Sequence, residues 1–255
     1  MNIFVCIKEV PDTEASLQVK DGKSINNEGL KWIISPYDEY AIEEALKLKE
    51  KLGDSTVTVI SVGSERIVET IRKGLAMGAE KAIHVHAENT LDNKIVAKAL
   101  SEAIKKQDDY GIIFMGKQAI DDDAYLTHIY LANYLNIPVA TNVIKFEYND
   151  NKAIVEREIE EGAREKIEMN VPCVVAATKG LNEPRYPSIM GMMKAKKVQI
   201  EKYELSDIGI DDNNKVEVEK LYFPPEKPEG KVLEGELEDV VKELVRLLKD
   251  EAKVL

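Results

Sequence analysis

The chain has little of what a cross-linked, metal-clustering or membrane-spanning protein needs. Its 255 residues include two cysteines, Cys6 and Cys173, each inside an apolar run. That excludes a disulfide scaffold and a cysteine-rich metal site, and it fits a reducing compartment. Positive charge is in deficit: 35 Lys and Arg stand against 47 Asp and Glu, a formal net charge of −12. Such a chain repels phosphate, so non-specific binding to nucleic acid or anionic lipid is not expected. No stretch approaches the roughly 18–20 apolar residues of a membrane helix. The start, Asn2 to Ile7, meets Lys8-Glu9 at once and does not read as a secretory signal. A soluble, cytoplasmic protein is expected, although a processed organelle protein would read the same way. The three histidines, His84, His86 and His128, show no HExxH or CxxC spacing. His84 and His86 alternate along a strand and cannot face one metal from the same side, so surface or capping roles are expected. A Gly-x-Ser-x-Gly elbow, a Walker loop and a dinucleotide glycine fingerprint are all missing. No catalytic set and no internal repeat emerges.

What is present is a core and a rhythm. Hydrophobic residues make up 44% of the chain, enough to bury one large domain or two small ones. Short β-branched runs at Asn2–Ile7, Val57–Val62, Ala82–His86 and Gly111–Met115 read as strands apolar on both faces. Helical periodicity lies between them. Ser35-Pro36-Tyr37-Asp38 places a cap, a first-turn proline and an acid before Ala41, Ile42, Ala45, Leu46 and Leu52. Ser64 is placed to cap a second helix carrying Ile67, Val68, Ile71 and Leu75, and a third carries Ile95, Val96, Ala99, Leu100, Ala103 and Ile104. A fourth starts near Asp123 and runs to Leu135. The expected architecture is a doubly wound, mostly parallel α/β sheet. After Pro138 the strands at Ala140–Tyr148, Ala153–Glu160 and Lys166–Val171 read as an antiparallel extension, followed by a buried strand to Ala177. A loop over 179–197 runs into a helix. The stretch from about 205 to 230, with Pro224, Pro225 and Pro228, reads as an extended linker before a helical arm. Leu237, Val240, Val241, Leu244, Leu247 and Leu248 stripe that arm and can bury against something other than this chain's own core. The expected domains are therefore 1–204 and 205–255.

Two constellations could carry function. Gly116-Lys117-Gln118-Ala119-Ile120-Asp121-Asp122-Asp123 follows the fourth strand and opens a helix, where α/β sheets bind ligands and helix N-termini attract anions. Thr127 adds a hydroxyl. Three carboxylates repel phosphate but accept from ribose hydroxyls or an adenine amine, and a merely over-capped helix explains the acids equally well. Cys6, Ser35 to Asp38 and Ser64 stand at neighbouring strand ends, where plain capping is the commoner role. The second constellation, Leu181 to Met193 followed by Lys194-Ala195-Lys196-Lys197, mixes prolines, methionines and clustered lysines. It reads as a docking surface or as an ordinary helix with its methionines turned inward.

The chain resembles the beta, or small, subunits of electron transfer flavoproteins nearly end to end. The resemblance is carried by Ile7-Lys8-Glu9-Val10-Pro11-Asp12-Thr13, Ser35 to Ala45, Ala76-Met77-Gly78-Ala79 and Gly116 to Asp123. It is carried further by Val155 to Gly162 leading to Pro172, and by Leu181-Asn182-Glu183-Pro184-Arg185-Tyr186 with Lys194-Ala195-Lys196-Lys197. It implies an adenine-nucleotide-binding, HUP-like fold and a heterodimer with an alpha subunit that holds most of a redox FAD. Such a pair carries electrons from acyl-CoA dehydrogenases and related flavoenzymes to a quinone reductase or another acceptor, without bond-making catalysis. It also implies a structural AMP, with contacts at Cys6, Ser35, Pro36, Tyr37, Asp38 and Ser64. The same contacts continue through Gly116, Lys117, Gln118, Ala119, Ile120, Asp121, Asp122, Asp123, Ala124, Tyr125, Leu126 and Thr127. The implied partner-recognition surface comprises Leu181 as projecting anchor with Pro184, Arg185, Tyr186, Ile189, Met190, Lys194, Lys196 and Lys197. The loop Val10 to Thr13 is implied to close one side of the flavin site. Ser35 stands where Asn is usual, and Ala124-Tyr125-Leu126 replaces more polar residues. An electron-bifurcating branch carries Asp-Gly-Asp-Thr here and a second FAD in place of AMP, with NADH as donor. This chain reads Asp121-Asp122-Asp123-Ala124, closer to the AMP type. A stand-alone nucleotide-binding regulator is the remaining alternative, though its late glycine-rich phosphate loop is missing.

Overall fold

In β1 (Asn2–Cys6) successive side chains point to opposite faces, so Ile3 and Val5 enter one core while Phe4 and Cys6 enter another. A strand apolar on both faces requires a helical layer on each side, and the rest of the chain supplies them. The computed structural model describes residues 1–107, 109–225 and 230–255; Pro228 of the expected linker lies outside these.

In chain order β1 is followed by β2 (Glu9–Pro11), β3 (Val19–Lys20), β4 (Ser24–Ile25) and β5 (Trp32–Ile34). Next come α1 (Pro36–Leu52), β6 (Thr56–Gly63), α2 (Ile67–Met77), β7 (Lys81–His86), α3 (Asn93–Lys105) and β8 (Ile112–Gly116). After α4 (Thr127–Leu135) stand β9 (Val139–Asn149), β10 (Lys152–Glu158), β11 (Arg164–Asn170) and β12 (Cys173–Ala177). The chain continues with α5 (Ile189–Ala195), β13 (Ile200–Glu204) and α6 (Leu237–Arg246). Among the described residues, nine strands form one sheet in the order β11-β10-β9-β12-β8-β1-β6-β7-β13. The pairs from β9 to β13 are parallel, and β9-β10-β11 is an antiparallel extension. Ala41, Ile42, Ala45 and Leu46 of α1 join Ile67, Ile71 and Leu75 of α2 in one core. Leu100, Ala103 and Ile104 of α3 join Leu131, Ala132 and Leu135 of α4 in the other. This is the doubly wound sheet expected from the sequence.

Several local expectations are corrected. The fourth helix starts at Thr127, not near Asp123, because Asp123 and Tyr125 take left-handed backbone angles, φ 47° and 56°, that a helix cannot continue. Ser64 does not cap α2; Arg66 holds the cap position, and the Ser64 carbonyl accepts from the Ile67 N–H at 3.1 Å. His84 is not on the surface: it is buried, with Nε2 2.8 Å from the Gly63 carbonyl, and burial lowers its pKa. The edge strand β13, beside β7, and the small β2–β5 pair escaped sequence reading because each is short or half polar.

The described residues divide into two units, Met1–Gln18 with Asn26–Val218, and Val19–Ile25 with Glu219–Leu255. The division differs from 1–204 and 205–255 for a packing reason. Ile208 and Ile210 are buried in the α3–α4 core, and Asn214 Nδ2 donates to the Thr90 carbonyl at 2.7 Å. In the second unit β3 pairs with β4, and the Leu221 N–H donates to Gly22 O at 2.6 Å. Its helix α6 leaves Leu237, Val241 and Leu244 exposed. No described helix is long and apolar enough to cross a membrane.

Candidate functional site

At the carboxyl ends of β1, β6 and β8 the sheet opens into a cleft of about 680 Å³, counting its open mouth. A cleft with an apolar wall and a few convergent polar groups, at the carboxyl ends of the strands of an open α/β sheet, is where small ligands bind in such folds. The geometry of the cleft begins at α1. Ser35 occupies the N-cap position, with its Oγ buried and unpartnered, and Pro36 sets the first turn. That turn delivers the Asp38 carboxyl beneath the cleft. Asp38 Oδ2 accepts from the Lys8 N–H and Oδ1 from the Gly116 N–H, both at 2.7 Å. One side chain thus ties the ends of β1 and β8 together. Burial raises its pKa to about 7, against the pull of those two N–H donors. Burial, and then Asp38, push the Cys6 thiol above its ordinary range.

Only glycine fits at the end of β8. A Cβ on Gly116 would stand 2.6 Å from Asp38 Oδ1 and 2.7 Å from Tyr37 Cβ. Beyond it the acidic loop is held by internal bonds. Lys8 Nζ lies 2.8 Å from Asp121 and 3.1 Å from Asp122. Burial works to lower the Lys8 pKa, but the two aspartates outweigh it and the net shift is upward. Gln118 Nε2 donates to Asp123, and the Ala124 N–H donates to Asp122 at 3.2 Å. Thr127 Oγ1 donates to Asn93 Oδ1 at 2.9 Å, joining α4 to the start of α3. Lys117 lies 5.1 and 5.4 Å from the ring centres of Tyr37 and Tyr125 and makes no ion pair among the described residues.

The structure therefore brings Cys6, Asp38, Gly116, Lys117, Gln118, Ala119, Asp122, Ala124, Tyr125, Leu126 and Thr127 to one cleft. Ser35, Pro36, Tyr37, Ser64, Ile120, Asp121 and Asp123 lie outside its lining. Tyr37, Asp121 and Asp123 reach it through Lys117, Lys8 and Gln118. Sequence reasoning missed Lys8, Val62, Asn93, Val96, Leu100 and His128. Lys8 and Val62 carried a signal, since both stand at ends of strands that were recognised. His128 was expected at the surface or in a cap; it is buried at 1% exposure, because α4 starts one residue before it and turns it inward. Burial alone lowers its pKa to about 4. Among the described residues no group of His, Cys, Asp and Glu could hold a metal ion.

The segment from Leu181 is a second candidate surface, and here the projecting anchor is corrected. Leu181 is partly buried and packs against the α1–α2 core. The reason lies in its neighbours. Asn182 Nδ2 donates to Tyr40 O at 2.9 Å and to Glu44 at 2.8 Å. Arg185 forks onto buried Glu43 at 2.7 and 2.9 Å and reaches Glu50 at 2.7 Å. These bonds draw the start of the segment down onto α1, with Pro184 half-buried between them. What projects is Tyr186, 94% exposed, with Ile189 at 74% and Met190 at 69%. Lys194, Lys196 and Lys197 are exposed beside them, and Met193 is turned outward rather than inward. The short helix α5 is capped by Ser188, whose Oγ accepts from the Gly191 N–H at 2.9 Å.

Comparison with known proteins identifies the family. The electron transfer flavoprotein domain family matches residues 23–208. The electron transfer flavoprotein subunit beta of Bacillus subtilis is 42% identical over 261 residues, spanning all of both chains. That of Bradyrhizobium diazoefficiens is 39% identical over 256 residues, again spanning both chains completely. The mitochondrial protein of that name from Oryza sativa subsp. japonica is 36% identical over 259 residues, with the same complete coverage. A mostly parallel sheet flanked by helices and full-length matches to these proteins have one conclusion: the chain belongs to the electron transfer flavoprotein family, among its beta subunits.

Proposed function

We propose that this chain is one half of a two-subunit electron carrier. Its alpha partner holds most of an FAD, and its own cleft holds AMP in a structural role. The observation that carries the nucleotide reading is the charge inventory of the cleft. Lys8 is committed to Asp121 and Asp122, so Lys117 is the one lining cation without an ion pair among the described residues. One cation and the N–H groups opening α4 suit a single phosphate better than the pyrophosphate of a second FAD. The apolar wall of Val62, Val96, Leu100 and Met115 suits a flat base.

Bound FAD supplies the redox chemistry of the pair. This chain's contributions are positional. The segment Val10 to Thr13, which begins within β2 where Val10 and Pro11 pair with β5, borders the flavin site. The apolar stripe of α6 buries against the alpha subunit. Tyr186, Ile189 and Met190, flanked by lysines, meet an acidic dehydrogenase of the acyl-CoA-oxidising kind. Electron transfer falls steeply with distance, so a weak but oriented contact suffices, and small interfaces serve such encounters. A quinone reductase or another acceptor takes the electrons onward.

The test is to purify the chain with its co-expressed partner, denature the pair and weigh the released nucleotides by mass spectrometry. AMP and FAD in equal amounts are the expected result. Two FAD and no AMP would make this the bifurcating type, and a colourless chain that never co-purifies with a partner would make it a stand-alone regulator.

A further inference from the structure

Two polar side-chain atoms on the cleft lining are buried without a hydrogen-bond partner among the described residues, Gln118 Oε1 and His128 Nε2. Native structures rarely keep such atoms without a reason. Gln118 belongs to the acidic loop, and its amide is oriented by Asp123, which can only accept a bond and so takes the Nε2 end. His128 is the more informative of the two. It is 1% exposed, it lies on the first turn of α4, and it lines the same cleft as Val96 and Leu100 of α3. Neither of the cleft's cations is its partner: Lys8 is held by Asp121 and Asp122, and Lys117 lies by Tyr37 and Tyr125.

Burial is the sole cause acting on its pKa, lowered to about 4, so the imidazole is neutral near pH 7. A neutral ring offers one donor and one acceptor nitrogen and no charge. A phosphate finds better partners in Lys117 and the loop N–H groups. The ligand atom that answers Nε2 therefore belongs to the uncharged part of the ligand.

We propose that His128 Nε2 hydrogen-bonds the nucleoside half of the nucleotide held in this cleft and is a specificity-determining contact of the site. This rests on the nucleotide reading above and assigns one of its contacts. The contact separates nucleoside recognition, at His128, from phosphate recognition, at Lys117 and the N–H groups opening α4.

The test uses the full chain with its co-purifying partner, the resident nucleotide exchanged out, and adenosine and AMP as probes in calorimetric titration. His128→Leu should weaken both probes by the same factor, about tenfold, as expected for one hydrogen bond to a buried group. His128→Gln, which keeps a polar atom at similar reach, should recover most of that loss for both. If His128→Leu does not fold, His128→Phe keeps the ring volume and supplies the same comparison. A loss for AMP alone would move the contact to the phosphate and overturn the proposal, and so would unchanged affinities in the apolar variants. If the parent protein binds neither probe, the nucleotide reading falls and the proposal with it. A parent that binds both and a variant that binds them equally well sinks the proposal alone.

Discussion

Asp38 and His128 lie at the same cleft and respond to pH in opposite senses. The folded pKa of Asp38, about 7, lies above its ordinary value of 3.8, so the folded state holds the proton more tightly than the unfolded one. Its contribution is full at low pH and is lost as pH rises through about 7. The folded pKa of His128, about 4, lies below its ordinary 6.5, so its contribution is present above 6.5 and is lost as pH falls through about 4. In the parent the two slopes partly cancel. Urea midpoints measured across the window from about 4 to about 7 should separate them. Relative to the parent, Asp38→Asn should gain stability as pH rises through that window, and His128→Leu should lose it. Parallel curves for parent and variants would mean that neither group titrates as described. Gly116→Ala probes the same ground sterically. Its Cβ would meet Asp38 Oδ1 at 2.6 Å, which pulls apart the brace between β1 and β8. A destabilisation of about 1–3 kcal/mol is expected, seen as a lowered thermal midpoint together with lost nucleotide.

At the scale of elements, α1 connects the two candidate surfaces. Its first turn carries Asp38 to the cleft, and its later turns carry Glu43, Glu44 and Glu50 to Asn182 and Arg185. Arg185→Ala would leave Glu43 buried without its guanidinium partner. Because Arg185 itself is 36% exposed, the expected cost is discounted to about 1–2 kcal/mol. The sharper readout is limited proteolysis, with faster cleavage between residues 181 and 197. The docking reading makes a separate demand. Leu181 packs on the core, so Leu181→Ala should lower stability by about 1–2 kcal/mol. Ile189→Ala and Met190→Ala should raise KM for the donor dehydrogenase several-fold, with flavin content and thermal midpoint unchanged. A change in flavin content would show that this segment supports the cofactor rather than the donor.

For the whole molecule, the unanswered surface is the apolar stripe of α6. Leu237, at 77% exposed, with Val241 and Leu244, is more than a solvated helix ordinarily shows on one face. The reading as a beta subunit predicts that Val241→Asp with Leu244→Asp abolishes co-purification with the alpha subunit. The thermal midpoint of the nine-stranded unit should stay unchanged, since α6 belongs to the other unit. Loss of that midpoint would place the stripe in the chain's own core.

Much of the architecture was legible in the residue order because strand and helix periods are local properties. Alternation along Ile3, Phe4, Val5 and Cys6 demands two covered faces, and the stripes of α1, α2 and α3 supply the cover. Helix ends and short edge strands were less legible. The start of α4 depends on left-handed angles at Asp123 and Tyr125 that the cage of bonds around Lys8, Asp121 and Asp122 supports, and β13 pairs with a strand more than a hundred residues away. The candidate site divides along the same line. The loop after β8 announces itself by position, whereas His128 enters the cleft only because α4 begins at Thr127, and Leu181 turns inward only because Arg185 finds Glu43. Periodicity selects which face of an element is apolar; which side chains meet across elements is decided by packing between residues far apart in the chain, and that exists only in the folded molecule.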